Sequence, residues 1–335
     1  MSKILVVMVN WFGDAVLTTP AFKAIKQKFP SCYLGVMAVE RVKEIFTDNP
    51  YIDEVIVFDE KNQQKDIRAK LKFIKLLKAK KFDTVFFIQR SFTRAFICYL
   101  AGIKERIGFQ RAKTSLVLTK CIAAPSGLTH RQDYYLTLFE TCGIKIDDRR
   151  SQFFISDKIL HAASKIIEKI TKDNAPLVGI NVTANWQLKR WPPKKFASLS
   201  DRLTKELNCK VIFIGAAKER MLIQKVIENM EESAENLCGQ TTLKELGALM
   251  KRMTLFISND SGPAHLAAVL GLSTLVLFGP TLERITAPRG KRVVIIRKDT
   301  GCHLPCYRLN CQDNICMKLI SVDEVYLRAK QMIGK

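Results

Sequence analysis

The chain has 335 residues, 47% of them hydrophobic, which is enough to bury the cores of two domains. It carries 54 Lys+Arg against 32 Asp+Glu, a formal charge of +22 shared by both halves of the chain. Such a balance favours anionic partners: nucleic acid, lipid headgroups or phosphorylated substrates. No apolar run reaches the roughly 18 residues of a membrane span. The opening "MSKILVVMVNWFGDAV" meets Asp14 too soon for a signal peptide, so a cytoplasmic location is expected.

"KILVVMV" (3–9) is apolar without alternation, which predicts a parallel strand covered on both faces. "TTPAFKAIKQKFP" (18–30) predicts a helix with Thr18 or Thr19 as its cap and Pro20 in its first turn. A strand over 32–39, a short helix over 41–50, a strand over 54–58, a basic helix at about 65–80 and a strand over 84–88 follow. The alternation restarts after residue 150. Helices are expected over 157–171, 193–207, 218–230, 243–253, 263–271 and 321–333, the last capped by Ser321 with Glu324 in the capping-box position. Strands are expected over 177–182, 210–215, near 236–237, and over 255–260, 273–279 and 292–297. Repeated βαβα units imply two doubly wound α/β domains with parallel sheets, divided as 1–155 and 156–335. Ligands in such sheets bind beyond the carboxyl ends of strands, at helix N-termini, and with two domains the expected site is the cleft between them.

Four polar turns fall at those ends. Asn10-Trp11-Phe12-Gly13-Asp14 follows the first strand: either a turn with Gly13 at positive φ and Asp14 capping the next helix, or a carboxylate placed to take a proton. "NVTANWQLKRWPPKKF" (181–196) offers Thr183, Asn185, Lys189 and Arg190 before a helix start, either a solvated basic loop or a diphosphate site. In "GAAKERM" (215–221), Glu219 either complements a helix dipole or accepts from ribose hydroxyls. In "ISNDSGPAHLAAVLG" (257–271), Asp260-Ser261-Gly262 ends a strand and His265 falls in the first turn of a helix. Ser261 is an N-cap candidate there, and the amides of that helix start offer an anion site. Ser, His and Asp packed into six residues without GxSxG argue against a hydrolase triad, and no GxGxxG dinucleotide fingerprint is present.

"ILVVMVNWFGDAVLTTPAFKAIKQKFP", "AGIKERIGF", "KRWPPKKFASL", "IGAAKE" and "SNDSGPAHLAAVLGLSTLVLFGPT" together resemble the heptosyltransferases of lipopolysaccharide core synthesis, glycosyltransferase family 9, over residues 3 to about 330. "CMKLISVDEV" resembles the type that adds the second heptose. The resemblance implies a GT-B fold, two Rossmann-like domains facing a central cleft. It implies inverting transfer of a heptose from ADP-heptose to a phosphorylated Kdo–lipid A core acceptor, with the acceptor on the N-terminal domain and the ADP-sugar on the C-terminal one. By the same resemblance Asp14 is the general base and Lys189 neutralises the leaving diphosphate. Glu219 binds the ribose, Asp260 holds sugar hydroxyls, and Ser261, Gly262 and His265 serve the phosphates together with Thr183 and Asn185. Gly13, Arg90, Arg94 and Arg111 are acceptor-side candidates, with Arg106 beside them. Members often have Thr-Gly-Leu or Ser-Gly-Leu after the Asp, where this chain has Ser261-Gly262-Pro263, and Pro263 lacks an amide donor. No metal-binding DxD motif occurs, and neither metal nor cofactor is expected.

"KNQQKDIRAKLKFIKLLKAKK" (61–81) has nine Lys/Arg and one Asp, with Ile67, Leu71, Ile74 and Leu77 at helical spacing. That stripe is expected to pack on the sheet while the lysines face solvent or the anionic inner face of the inner membrane. Cys302, Cys306, Cys311 and Cys316 are spaced unlike paired CxxC knuckles, leaving zinc, a disulfide or free thiols open. A monomer is expected. A different nucleotide sugar is the competing reading. A nucleic-acid binder rests on charge alone, since neither aromatic–basic interleaving nor a standard module is present.

Overall fold

The computed structural model describes residues 2–171, 175–306, 308 and 310–334. The chain divides into two compact units, Met1–Phe154 and Ile155–Lys335.

The first unit holds a six-stranded, all-parallel sheet in the order β3-β2-β1-β4-β5-β6. Its strands are β1 (Lys3–Val7), β2 (Tyr33–Ala38), β3 (Glu54–Val57), β4 (Thr84–Phe87), β5 (Glu105–Phe109) and β6 (Lys120–Ile122). Its helices are α1 (Phe12–Leu17), α2 (Pro20–Lys28), α3 (Ile67–Lys80), α4 (Phe92–Leu100) and α5 (Arg131–Glu140). The unbroken apolar runs follow from burial on both faces. Phe87 faces α3 and α4, in one core with Leu5, Val7, Phe73, Leu77 and Cys98. Its neighbour Phe86 faces the other way and meets Phe139 of α5 at 5.1 Å between ring centroids.

The helix expected over 18–30 is α2, Pro20–Lys28, and the separate short helix α1 ends just before it. Thr19 is the N-cap of α2 by position, but neither Thr18 nor Thr19 caps it with its side chain. Their hydroxyls donate back to Ala15 O and Val16 O, at 2.7 and 2.8 Å, because α1 ends there and leaves its last carbonyls to be satisfied. The helix expected over 41–50 is a 3-10 turn, Glu40–Ile45.

The second unit repeats the plan with the order β12-β11-β10-β7-β8-β9, again all parallel. Its strands are β7 (Leu177–Asn181), β8 (Lys210–Phe213), β9 (Glu235–Asn236), β10 (Leu255–Asn259), β11 (Thr274–Phe278) and β12 (Val293–Arg297). Its helices are α6 (Asp157–Ile170), α7 (Pro193–Leu207), α8 (Arg220–Ile227), α9 (Leu243–Met250), α10 (Gly262–Val269), α11 (Glu283–Thr286), α12 (Ile315–Lys318) and α13 (Val322–Ile333). Trp191, Phe196, Ile257 and Leu275 share the core on one face, while Ala264 of α10 packs with Val276 and Phe278 on the other. Ser321 caps α13, accepting from Glu324 N at 3.2 Å.

In each sheet the chain order reverses between two central strands, β1 and β4 in the first and β7 and β10 in the second. At such a switch point the loops leave in opposite directions and open a crevice beyond the strand ends. Among the described residues, no helix is long and apolar enough to cross a membrane.

Candidate functional site

At the switch point of the first sheet, β1 runs into α1. Gly13 is helical, so the expected positive-φ turn does not form. Trp11 is the N-cap, and Asp14 lies in the first turn of α1 rather than capping it. Asp14 meets the hydroxyl of Tyr135 on α5. Burial first, and then the Asp14 charge and hydrogen bond, push the Tyr135 phenol above its ordinary pKa, while Arg131 and Arg90 oppose the shift. Burial and the charges of Arg111 and Arg131 push the Arg90 guanidinium down. Its plane lies over Phe109 and Tyr134, 5.5 and 5.2 Å from the ring centroids. One carboxylate therefore stands near Arg90 and Arg131, with Arg111 close by. The chemistry of such a group suits an anionic ligand with a proton acceptor beside it.

Arg94 takes another role. It is buried. It donates to Met8 O at 3.0 Å and Asn10 Oδ1 at 2.9 Å, and its Nε lies 3.5 Å from Glu60. Its groups hold the end of β1 and the start of the Asp14 loop. Arg41 supports the same loop, donating to Asn10 O at 2.8 Å with its guanidinium 4.7 Å from the Trp11 ring centroid. Arg106 donates to Val117 O and Ile103 O, at 2.6 and 2.5 Å, and stacks on Tyr99, so it serves the loops flanking β5.

At the switch point of the second sheet, Ser258 of β10 is in register with Asn181 of β7. Asn181 Nδ2 donates to Ser261 Oγ at 2.9 Å, and Ser258 and Ser261 share a hydrogen bond of 2.8 Å. Ser261 is the N-cap of α10 by backbone, but its side chain does not cap the helix. Its hydroxyl is held sideways toward β7, so the amide end of α10 is left without a side-chain acceptor of its own, the arrangement that receives anions. Gly262 opens the helix there, and His265 is buried in its first turns.

Asp260 is buried beside this helix start. Its Oδ2 accepts from Lys189 Nζ at 2.6 Å and Thr281 Oγ1 at 2.7 Å, with Thr286 Oγ1 at 3.5 Å. Lys189 reaches it from a 3-10 turn, Gln187–Lys189, whose exit is anchored where Trp191 N donates to Asn259 Oδ1 at 2.9 Å. Thr183 is buried and donates to Asn181 Oδ1 at 2.9 Å, while Asn185 is exposed on the same loop. Glu219 sits after β8 and accepts from Ala216 N at 2.8 Å. That bond rigidifies its turn and commits one carboxylate oxygen.

A family model for "Glycosyltransferase family 9 (heptosyltransferase)" matches residues 70–315. The chain belongs to glycosyltransferase family 9. It is therefore a glycosyltransferase. Curated relatives of this family align over nearly all of it. Lipooligosaccharide heptosyltransferase 2 of Haemophilus ducreyi is 26% identical, covering 99% of both chains. Lipopolysaccharide heptosyltransferase 2 of Escherichia coli K12 is 24% identical, covering 90% of this chain and 89% of its own. Among solved structures, a family 9 glycosyl transferase from Veillonella parvula superposes with a TM-score of 0.87 at 23% identity, covering 99% of this chain and 97% of that one. The E. coli ADP-heptose LPS heptosyltransferase II superposes at 0.83 and 21% identity, covering 99% and 98%. The two Rossmann-like units are thus those of the GT-B fold.

In this family 9 chain, sequence reasoning did not find Tyr135, Arg131, Asn181, Ser258 or Thr281. Asn181 and Ser258 read as strand interior, and Tyr135 and Arg131 lie far along the chain from Asp14. Among the described residues, no group of three or more His, Cys, Asp or Glu side chains is gathered as a metal site. Cys302, Cys306, Cys311 and Cys316 are free thiols, and burial, followed by the nearby Cys311 and Cys302, pushes the Cys316 thiol up. A depression of about 270 Å³ bounded by Met250, Thr254, Ser273 and Arg292 lies at the opposite, amino ends of the second sheet's strands, away from that sheet's switch point.

Proposed function

We propose that this enzyme transfers a heptose from ADP-heptose to the inner core of lipopolysaccharide, on a phosphorylated Kdo–lipid A acceptor, with inversion at the anomeric carbon. The second unit binds the donor. The α10 start and Lys189 receive the diphosphate, Asp260 and Thr281 meet sugar hydroxyls, and Glu219 meets the ribose. The first unit binds the acceptor. Arg90, Arg111 and Arg131 attract its phosphates and carboxylates, and Asp14 takes the proton from the attacking hydroxyl. As the new C–O bond forms at the anomeric carbon, the bond to the diphosphate breaks and ADP leaves with the electron pair. Lys189 and the helix dipole stabilise that charge, so this reading needs neither metal nor cofactor. The work is done by a monomer in the cytoplasm, against the inner membrane that carries the acceptor.

The observation that supports this reading most is the α10 start: a helix N-terminus whose own N-cap hydroxyl is turned away, with a lysine and a buried carboxylate beside it. Titration calorimetry with ADP, UDP, GDP and NAD, with and without magnesium, tests it. Selective, magnesium-independent ADP binding is expected. A preference for UDP or GDP would replace the donor with another nucleotide sugar.

A further inference from the structure

The outer faces of α3 and α4 do not behave as a solvated surface. Both helices lie on the same side of the first sheet. Phe73 and Leu77 of α3 share one buried core with Ala95, Ile97 and Cys98 of α4. The spacing of Ile67, Leu71, Ile74 and Leu77 predicts a stripe that packs inward. Only its C-terminal half does, because Phe73 turns the buried face around the axis. Ile67 is 69% and Leu71 51% exposed. On α4 the exposed positions are Phe92, Phe96, Tyr99 and Leu100, one stripe at i, i+4, i+7 and i+8. Its three rings stack in a row, with centroids 5.7 and 6.2 Å apart. Such a stripe on a water-facing helix is an unpartnered apolar surface.

Charge says what covers it. Neither helix contains an acidic residue, and the only one at their starts is the α3 cap Asp66, which accepts from Ala69 N at 2.9 Å. Arg68, Lys72, Lys75 and Lys78 are exposed among Ile67, Leu71 and Leu76, and among the described residues none of these four has an acidic partner. Arg111 and Lys113 rim a depression of about 410 Å³ beside Phe92. Apolar side chains interleaved with unpaired lysines, and flanked by rings, match the boundary of an anionic bilayer. The hydrocarbon enters the acyl region and the ammonium groups reach the headgroups.

We propose that the α3–α4 face docks the enzyme on an anionic bilayer, with Ile67, Leu71, Phe92 and Phe96 inserting and Arg68, Lys72 and Lys75 meeting lipid phosphates. The surface stands on its own observations. It touches the heptosyltransferase reading only in supplying a reason for a lipid-linked acceptor to be within reach.

Co-sedimentation of the full chain with vesicles tests it, using phosphatidylcholine alone and phosphatidylcholine mixed with phosphatidylglycerol. Sedimentation is expected with the mixed vesicles only, weakened by salt. Lys72→Gln/Lys75→Gln is expected to reduce partitioning by about 25-fold, at about fivefold per lysine near the surface. Ile67→Ser/Leu71→Ser/Phe96→Ser, which alters exposed positions and leaves the core intact, is expected to reduce it about tenfold. Both variants keep the wild-type melting curve and ADP affinity, so loss of lipid binding is read apart from any failure of the donor assignment. No sedimentation, equal sedimentation with both vesicle types, or undiminished binding by either variant overturns the proposal.

Discussion

Lys189 Nζ stands 2.6 Å from Asp260 Oδ2, and Thr281 Oγ1 meets the same oxygen at 2.7 Å. The lysine proposed to neutralise the leaving diphosphate is thus held by the carboxylate proposed to hold the sugar. One ion pair thus joins the residues proposed for the diphosphate and for the sugar, and Asp260 is nearly enclosed while Lys189 is partly exposed. Removing the lysine leaves a buried carboxylate with hydroxyl donors only. Lys189→Ala is expected to cost about 2 kcal/mol of stability, below the cost of breaking a fully buried pair, and to weaken ADP binding about tenfold or more. Asp260→Asn, which keeps a partner for Thr281, is expected to melt closer to wild type. Thermal melts and calorimetry of both variants check the pair.

Asp14→Asn removes the proposed base without emptying its site. Transfer is expected to fall about 10²- to 10⁴-fold, the usual contribution of a general base, while ADP binding is unchanged. Retained transfer would sink the base assignment.

The same substitution has a titration consequence at Tyr135. Burial and Asp14 raise that phenol, so the folded state holds its proton longer than the unfolded one. Stability from this source is complete below the unfolded tyrosine pKa of about 10 and is lost as pH rises above it. Tyr33, pushed up to about 12 by burial and then Glu54, acts in the same sense. In Asp14→Asn the Tyr135 phenol is expected to ionise at lower pH than in the wild type. The difference in phenolate absorbance between the two proteins on alkaline titration reads this directly, and coincident curves would separate Tyr135 from Asp14.

The strands were legible in the sequence for a physical reason. Parallel strands covered on both sides read as continuous apolar runs, and "KILVVMV", "LVGINV" and "STLVLFG" became β1, β7 and β11. The strand ends that carry Asp14 and Asp260 were legible too, since polar turns interrupt those runs. What was hidden depends on contacts between distant segments. Thr18 and Thr19 have the side chains of caps, but a preceding helix claims their hydroxyls. Ile67 and Leu71 have the spacing of a packed stripe, but Phe73 takes the inward position. Arg94 has the charge of an acceptor ligand, but its burial among Met8, Asn10 and Glu60 arises only when α4 closes over β1.

That burial makes Arg94 a test of the loop beneath Asp14. A planar guanidinium reaches Met8 O and Asn10 Oδ1 together, and an ammonium does not. Arg94→Ala is expected to cost about 3 kcal/mol, because Asn10 and Glu60 lose their buried partner. Arg94→Lys is expected to recover stability only in part. Both are expected to lower transfer more than ADP affinity, since the proposed donor residues belong to the other unit. Unfolding midpoints beside transfer and ADP titrations decide the point.

Gly239 governs the turn that carries Glu219. Its φ is +71°, and a Cβ there would lie 2.6 Å from Ala217 Cα and 2.7 Å from Ala217 Cβ. Its amide also donates to Gly215 O at 2.9 Å, tying the end of β9 to the end of β8. An added methyl meets backbone rather than a side chain that can swing away, so the 216–219 turn must move. Gly239→Ala is expected to cost about 3 kcal/mol, summing left-handed strain and overpacking. Gly271 offers the control: its φ is +77°, yet a methyl added there would meet nothing within 4 Å. Gly271→Ala carries the conformational cost alone, about 1 kcal/mol, and keeps ADP affinity. If Gly239→Ala melts like Gly271→Ala and binds ADP as tightly, the Ala217 contact does not hold the Glu219 turn in place. A larger loss of stability with weaker ADP binding ties that turn to the donor.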